Sequence, residues 1–163
     1  MVFRAVVTSL AVLGLIACSG SSTSAPDVQA FEKASADLRV VVNEHRTLAA
    51  TVSLPSECTA EHDRYDGKAR PLVRQLLDLS GAMDGCLRRM SHDGQADVGA
   101  TCQSMQDELD RYAGAACAGD STQNRTEAER DCTVLLDGTD RADQRAGSMQ
   151  GMMGGGGMMA CQP

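Results

Sequence analysis

Aromatic residues are nearly absent from this 163-residue chain, which contains two phenylalanines, two tyrosines and no tryptophan. Basic residues are also few, with 15 against 22 acidic ones, so the formal net charge is −7 at pH 7. The core therefore has to be built from leucine, valine, alanine and methionine. The acidic balance argues against nucleic acid as a partner.

Common catalytic and cofactor motifs are missing as well. The chain has no C-x-x-C, H-E-x-x-H or G-x-S-x-G sequence and no glycine loop suited to phosphate. It also lacks the alternating apolar and polar residues that indicate strands. We predict an all-α fold without catalytic residues, and we rank enzyme activity below a binding or structural function.

The first 18 residues carry a targeting signal. Residues 5–16 form an apolar run that follows the single positive charge of Arg4. The run is too short to cross a bilayer as a helix and has the length of a signal-peptide core. The run leads into the sequence L-I-A-C at positions 15–18, which resembles the lipobox of bacterial lipoprotein precursors. The resemblance implies cleavage before Cys18 and lipidation (palmitate) of that cysteine, which would anchor the chain to a membrane. An ordinary secretory signal followed by a structural cysteine is the alternative.

The resemblance also suggests a location in the bacterial cell envelope. Ser19 stands where lipoproteins retained in the inner membrane have aspartate, so a cell with two membranes would place this chain in the outer membrane, facing the periplasm. The predicted organisation is a cleaved signal peptide (1–17), a lipidated cysteine with a serine-rich linker (18–26), a helical domain (27–150) and a tail rich in glycine and methionine (151–163). Loss of Arg4 leaves 14 basic and 22 acidic residues, a charge of −8.

Four stretches of the helical domain repeat apolar residues at alternating spacings of three and four, which is typical of amphipathic helices. Asp27 is a predicted N-cap for the first helix, and Thr126–Glu129 resembles a capping box that opens the fourth. Pro71 lies within the second stretch, which we interpret as one kinked helix, with two shorter helices as the alternative. Four such helices with short connections predict an antiparallel up-down four-helix bundle. The predicted core stripe of the first helix is Phe31, Ala34, Leu38, Val41, His45, Leu48 and Val52. That of the fourth is Ala128, Cys132, Leu135, Thr139, Ala142, Ala146, Met149 and Met153.

Six cysteines remain after Cys18, and an even number outside the cytoplasm predicts disulfide bonds. Cys86 and Cys102 lie at similar distances on either side of a predicted turn, so we predict a bond between them. Cys117 and Cys132 flank the next connection and form the second predicted pair.

These two pairs would leave Cys58 and Cys161 at opposite ends of a straight bundle, too far apart to join. Pairing of Cys58 with Cys117 or with Cys132 therefore stays open. Free or intermolecular thiols are the other alternative.

Two histidines occupy core positions at similar distances from the first turn. His45 and His62 are expected to face each other, with Tyr65 one helical turn further along. Because imidazole is the commonest transition-metal ligand and bundle cores hold such sites, we predict a copper, zinc or iron site completed by Tyr65, Glu61 or a cysteine. The competing interpretation is a pair of hydrogen-bonded core histidines, since two ligands are too few for the usual tetrahedral site.

Methionines are concentrated near the C-terminus. Thioether and thiol sulfur select Cu(I), and a glycine-rich segment could wrap such an ion. The segment resembles, in composition only, the methionine-rich regions of bacterial envelope copper-handling proteins. Met83, Met90 and Met105 are interpreted as core filling. The predicted ligands of this second metal site are Met149, Met152, Met153, Met158, Met159 and Cys161.

Taken together, the sequence favours a lipid-anchored envelope protein whose bundle binds or buffers a metal ion, with copper as the expected cofactor. The alternative is a structural or interaction lipoprotein that contacts another envelope protein and has no metal or catalytic role.

Overall fold

The computed structural model describes residues 27–90 and 97–154, and helices account for nearly all of them. The helices are α1 (Val28–Ala49), α2 (Pro55–Met90), α3 (Val98–Ala115) and α4 (Ser121–Gly154). No strand occurs in these two ranges, so the predicted all-α fold is confirmed. None of the helices in them is both long enough and apolar enough to cross a membrane.

The helices form a ring of antiparallel neighbours, as predicted for an up-down bundle. Each packs against the next along the chain, and α1 closes the ring against α4, whereas α2 and α4 touch only slightly. The connections 50–54 and 116–120 lie at the same end of the bundle, which we call the loop end. The chain enters α1 and leaves α4 at the opposite end.

The core of α1 follows the predicted stripe only in part: Phe31, Ala34, Leu38 and His45 are buried as predicted, whereas Val41 is only partly buried. Val42 is fully buried in place of Val41, and Leu48, predicted to be in the core, is 42% exposed. The buried face includes Ser35, which is 0% exposed. Because Ser35 is polar, the pattern of apolar residues does not indicate that the buried face includes Ser35 and Val42. In α4 the predicted core residues from Ala128 to Met149 are all buried.

Helix α2 runs through Pro71 as one helix of 36 residues. The ring of a proline crowds the carbonyl four residues earlier, here that of Gly67, a residue without a side chain at a position where a Cβ would meet no atom within 4 Å. The interpretation as one helix was therefore correct.

Helix α4 begins five residues before the predicted capping box. The Asp120 carboxylate accepts hydrogen bonds from the N–H groups of Thr122 and Gln123, and the Gln123 side chain accepts one from the N–H of Asp120. This reciprocal pair satisfies the first free amides of the helix. Thr126 lies inside the helix, where its hydroxyl donates to the carbonyl of Thr122. The helix also continues to Gly154, beyond the predicted start of the tail at residue 151.

The predicted Cys86–Cys102 disulfide is wrong. Cys102 is a buried free thiol, so Cys86, which does form a disulfide, is not bonded to it. The reason is the position of α3. The Asp84 carboxylate accepts hydrogen bonds from the N–H groups of Val98 and Gly99, at 2.9 and 3.0 Å. Helix α3 therefore begins level with Asp84 rather than at the end of α2, so Cys102 does not lie opposite Cys86.

The predicted Cys117–Cys132 disulfide is also wrong. Cys117 is bonded to Cys58, with a Cα–Cα distance of 5.7 Å, and Cys132 is a buried free thiol. Cys132 lies about 16 Å along α4 from its start at Ser121, whereas Cys117 lies in the connection itself. The observed bond joins the first turn of α2 to the connection 116–120 at the loop end and was one of the alternatives left open.

Candidate functional site

A layer of polar side chains crosses the core near the loop end, with contributions from all four helices. His45 comes from the last turns of α1, Tyr65 from α2, Tyr112 from α3 and Asp131 from α4. All four residues are at most 3% exposed. Both tyrosines of the chain and one of its three histidines thus meet in this layer, together with Glu61 of α2.

His45 is held at both ring nitrogens. Nδ1 lies 3.0 Å from a carboxylate oxygen of Glu61, and Nε2 lies 3.0 Å from the hydroxyl of Tyr112. The imidazole also stacks on the ring of Tyr65, with centroids 3.9 Å apart and planes 9° apart. Burial lowers the pKa of His45, against the opposing effect of Glu61. The neutral ring therefore donates from Nδ1 to the carboxylate and accepts the Tyr112 hydroxyl at Nε2.

Glu61 keeps its negative charge in this setting. Burial alone would raise the pKa of Glu61, but hydrogen bonds from Arg64 and His45 outweigh it and lower the pKa. Arg64 donates to both carboxylate oxygens at 2.8 Å and also contacts Glu44 at the surface. Most of the hydrogen-bonding capacity of the Glu61 carboxylate is therefore used within the protein.

Asp131 is the least satisfied member of the layer. Its Oδ2 accepts a hydrogen bond of 2.5 Å from the Tyr65 hydroxyl, whereas its buried Oδ1 has no hydrogen-bond partner among the described residues. Burial raises the pKa of Asp131 to about 7, although the Tyr65 hydrogen bond opposes the change. Burial and the nearby Asp131 also raise the pKa of Tyr65.

A pocket opens between this layer and the solvent at the loop end. Its volume is about 100 Å³. The floor consists of His45, Glu61 and Tyr112, and the Cys58–Cys117 disulfide borders it. The apolar walls are Ala49, Val52, Leu54, Pro55 and Ala128, and the polar rim is Ser53, Asp120, Ser121, Asn124 and Arg125.

The residues of the histidine metal site predicted from the sequence lie in this region, but their side chains are not arranged as that prediction expected. His62 packs edge-on against Tyr112, with centroids 5.1 Å apart, and its buried Nδ1 has no hydrogen-bond partner in the described part of the chain. Tyr65, predicted to complete the site, donates its hydroxyl to Asp131 instead. Within residues 27–90 and 97–154, no three histidine, cysteine or acidic side chains are arranged to hold a metal ion.

The predicted methionine site lies mostly beyond the described part of the chain. Met149 is 0% exposed in the core, as are Met83 and, at 1%, Met105. Met152 and Met153 belong to the last turn of α4, but their side chains are outside the description. The remaining predicted ligands, Met158, Met159 and Cys161, lie outside the described residues, as does the predicted lipidation site Cys18.

Neither free thiol is prepared for nucleophilic chemistry. Burial raises the pKa of both Cys102 and Cys132 to about 12, so both are neutral thiols near pH 7. The Cys132 thiol donates only a weak hydrogen bond to the carbonyl of Val42, at 3.6 Å. These two thiols are therefore unsuited to act as nucleophiles near pH 7.

Sequence reasoning missed three residues of the site. Tyr112 was recognisable, because it occupies a core position and is the only tyrosine besides Tyr65. Asp131 gave no signal, since it precedes the core residue Cys132 and resembles a surface carboxylate. Arg125 also gave none, because its position at the pocket follows from the start of α4 at Ser121.

Comparison with known proteins identifies no relative. No protein-family model matches the chain, and no match was found among curated proteins or solved structures.

Proposed function

We propose that this chain is a lipid-anchored protein of the bacterial envelope whose helical bundle binds a small ligand in the pocket at the loop end. The lipobox-like sequence at 15–18 supports the anchor. The chain enters α1 at the end of the bundle opposite the pocket. A tether at Cys18 would therefore direct the pocket away from the membrane.

The observation that carries the binding function is the preformed floor of the pocket. His45 is fixed by two hydrogen bonds and a stacked ring, and Glu61 is fixed by Arg64. A site whose groups are already ordered loses little conformational entropy when a ligand enters. Apolar walls around a few fixed polar groups are typical of small-molecule sites.

Two measurements test this function. Cys18→Ser should move the protein from the membrane fraction to the soluble fraction and remove the acyl mass; a variant that stays acylated would exclude the anchor.

For the pocket, native mass spectrometry of protein released from membranes should show a bound small molecule. Ala128→Leu, which fills the pocket, should remove it, whereas Ala113→Leu on an exposed face of α3 should not. A ligand that survives Ala128→Leu would contradict the assignment.

Copper binding is the second candidate, supported by the concentration of methionine in residues 149–163. Deletion of residues 155–163 should weaken Cu(I) binding, and retention of full affinity would exclude the tail as the site. His45→Ala combined with His62→Ala tests the histidine site. Because both His45 nitrogens already have partners, we expect the metal stoichiometry to be unchanged.

A further inference from the structure

One cation at the rim of the pocket has no partner within residues 27–90 and 97–154. Arg125 lies in the first turns of α4, is exposed, and forms no hydrogen bond or ion pair with any described residue. The neighbouring arginines at this end differ: Arg46 pairs with Glu129, and Arg111 pairs with Glu108 and Glu127. The Arg125 guanidinium is therefore available to a ligand.

The other polar groups around the pocket divide into committed and uncommitted ones. Both atoms of the Asn124 amide are bonded to the backbone of Gly119, and one oxygen of Asp120 caps α4. Besides Arg125, the hydroxyls of Ser53 and Ser121 have no hydrogen-bond partner within the described residues. The second oxygen of Asp120 is also without a partner among the described residues, but that carboxylate is held at the start of α4 by two backbone N–H groups. The Arg125 guanidinium is therefore the only cation at the rim that is not held by a described residue.

The apolar walls of the pocket indicate what the uncharged part of the ligand is. Val52, Leu54 and Pro55 present hydrocarbon to a space of about 100 Å³ that is open at the rim. An enclosed apolar cavity of about 150 Å³ holds benzene, so this space suits a hydrocarbon group of about four or five carbons.

We propose that the pocket binds a short-chain aliphatic carboxylate. The carboxylate lies against the Arg125 guanidinium, whose parallel N–H groups match its two oxygens. The hydrocarbon chain packs between the apolar walls and points toward the neutral His45 and the Tyr112 ring. This assignment rests on the proposed binding function and names the ligand class for the same pocket.

Three probe molecules that share the same branched isobutyl group separate the contribution of a carboxylate to binding from that of an ammonium group. Isovalerate carries only the carboxylate, isoamylamine only the ammonium group, and L-leucine carries both. Calorimetric titration of the purified full-length protein should show saturable binding of isovalerate and none of isoamylamine. Leucine should bind more weakly than isovalerate, because its ammonium group is repelled by the Arg125 guanidinium. Binding of leucine without binding of isovalerate would overturn the assignment.

Arg125→Gln should weaken isovalerate binding roughly 10- to 100-fold, the effect of losing charge-assisted hydrogen bonds. Arg130→Gln, on the same helix but outside the pocket, should leave the affinity unchanged. Both positions are exposed, so helical circular dichroism should be unaltered. Unchanged affinity in Arg125→Gln, or binding of isoamylamine in place of isovalerate, would overturn the carboxylate assignment.

Failure of all three probes would also overturn this ligand class. It would not by itself overturn the proposed function, which fails only if the protein released from membranes carries no ligand that Ala128→Leu removes.

Discussion

Asp131 is expected to make the bundle less stable as the pH rises toward neutrality. Its pKa is about 7 in the folded protein, against an ordinary value of 3.8. The folded state therefore holds this proton more tightly than the unfolded chain does. The stabilising contribution is complete below pH 3.8 and is lost as the pH rises through 7. A difference of about three pH units corresponds to about 4 kcal/mol of unfolding free energy.

Other titratable groups also make the free energy of unfolding depend on pH, and His45 does so in the direction opposite to Asp131. The pKa of His45 is lowered by burial, so its contribution is lost as the pH falls below 6.5. Asp66 on α2 and Glu108 and Arg111 on α3 also act on Asp131. The effect of Asp131 is therefore isolated by a difference between two proteins that share all of these groups.

Asp131→Asn supplies that difference. The amide keeps the shape of the carboxyl group and can still accept the Tyr65 hydroxyl, but it does not titrate. Urea unfolding followed by circular dichroism from pH 4 to 8 should show the variant gaining about 4 kcal/mol relative to the parent protein across this range. Asp137→Asn, an exposed position on the same helix, should give a nearly constant difference. Parallel stability curves for Asp131→Asn and the parent would refute the reasoning.

Two further predictions concern packing and the disulfide. Replacing Cys58 and Cys117 together with alanine opens a loop of 59 residues and should cost about 4 kcal/mol in urea unfolding; an unchanged midpoint would contradict this. Gly138→Ala would place a Cβ 2.6 Å from Cγ of Met105 and should cost about 1–3 kcal/mol through overpacking. Gly147→Ala meets nothing within 4 Å and should stabilise α4 by about 1 kcal/mol, so effects of the same sign would argue against the tight contact.

The sequence predicted the four helices because the pattern of apolar residues reports which face of each helix is buried. It could not predict how the helices are aligned along the bundle axis. That alignment depends on local hydrogen bonds such as those from Val98 and Gly99 to Asp84. Both wrong disulfide predictions follow from this limit, because a pair of cysteines must lie at the same level as well as face each other.

The same limit explains why only part of the site was predicted. His45 occupies a core position on its own helix, and Tyr65 does so on the next, so both were found. Their partners depend on the level at which α3 and α4 pass them. Tyr112 meets His45 only because α3 begins level with Asp84. Asp131 meets Tyr65 only through the placement of α4.

The composition of the core makes the polar layer itself an argument for function. Elsewhere the core consists mainly of leucine, valine, alanine and methionine, which pack without hydrogen-bonding requirements. At the loop end, one carboxyl oxygen of Asp131 remains buried without a partner, which costs stability. Apolar residues at these positions would remove that cost. The proposed binding function would account for the part of the layer that lines the pocket, namely His45, Glu61 and Tyr112, which a ligand would find already ordered. Asp131 and Tyr65 do not line the pocket, so their contribution would be to hold the stacked His45 ring in place through Tyr65.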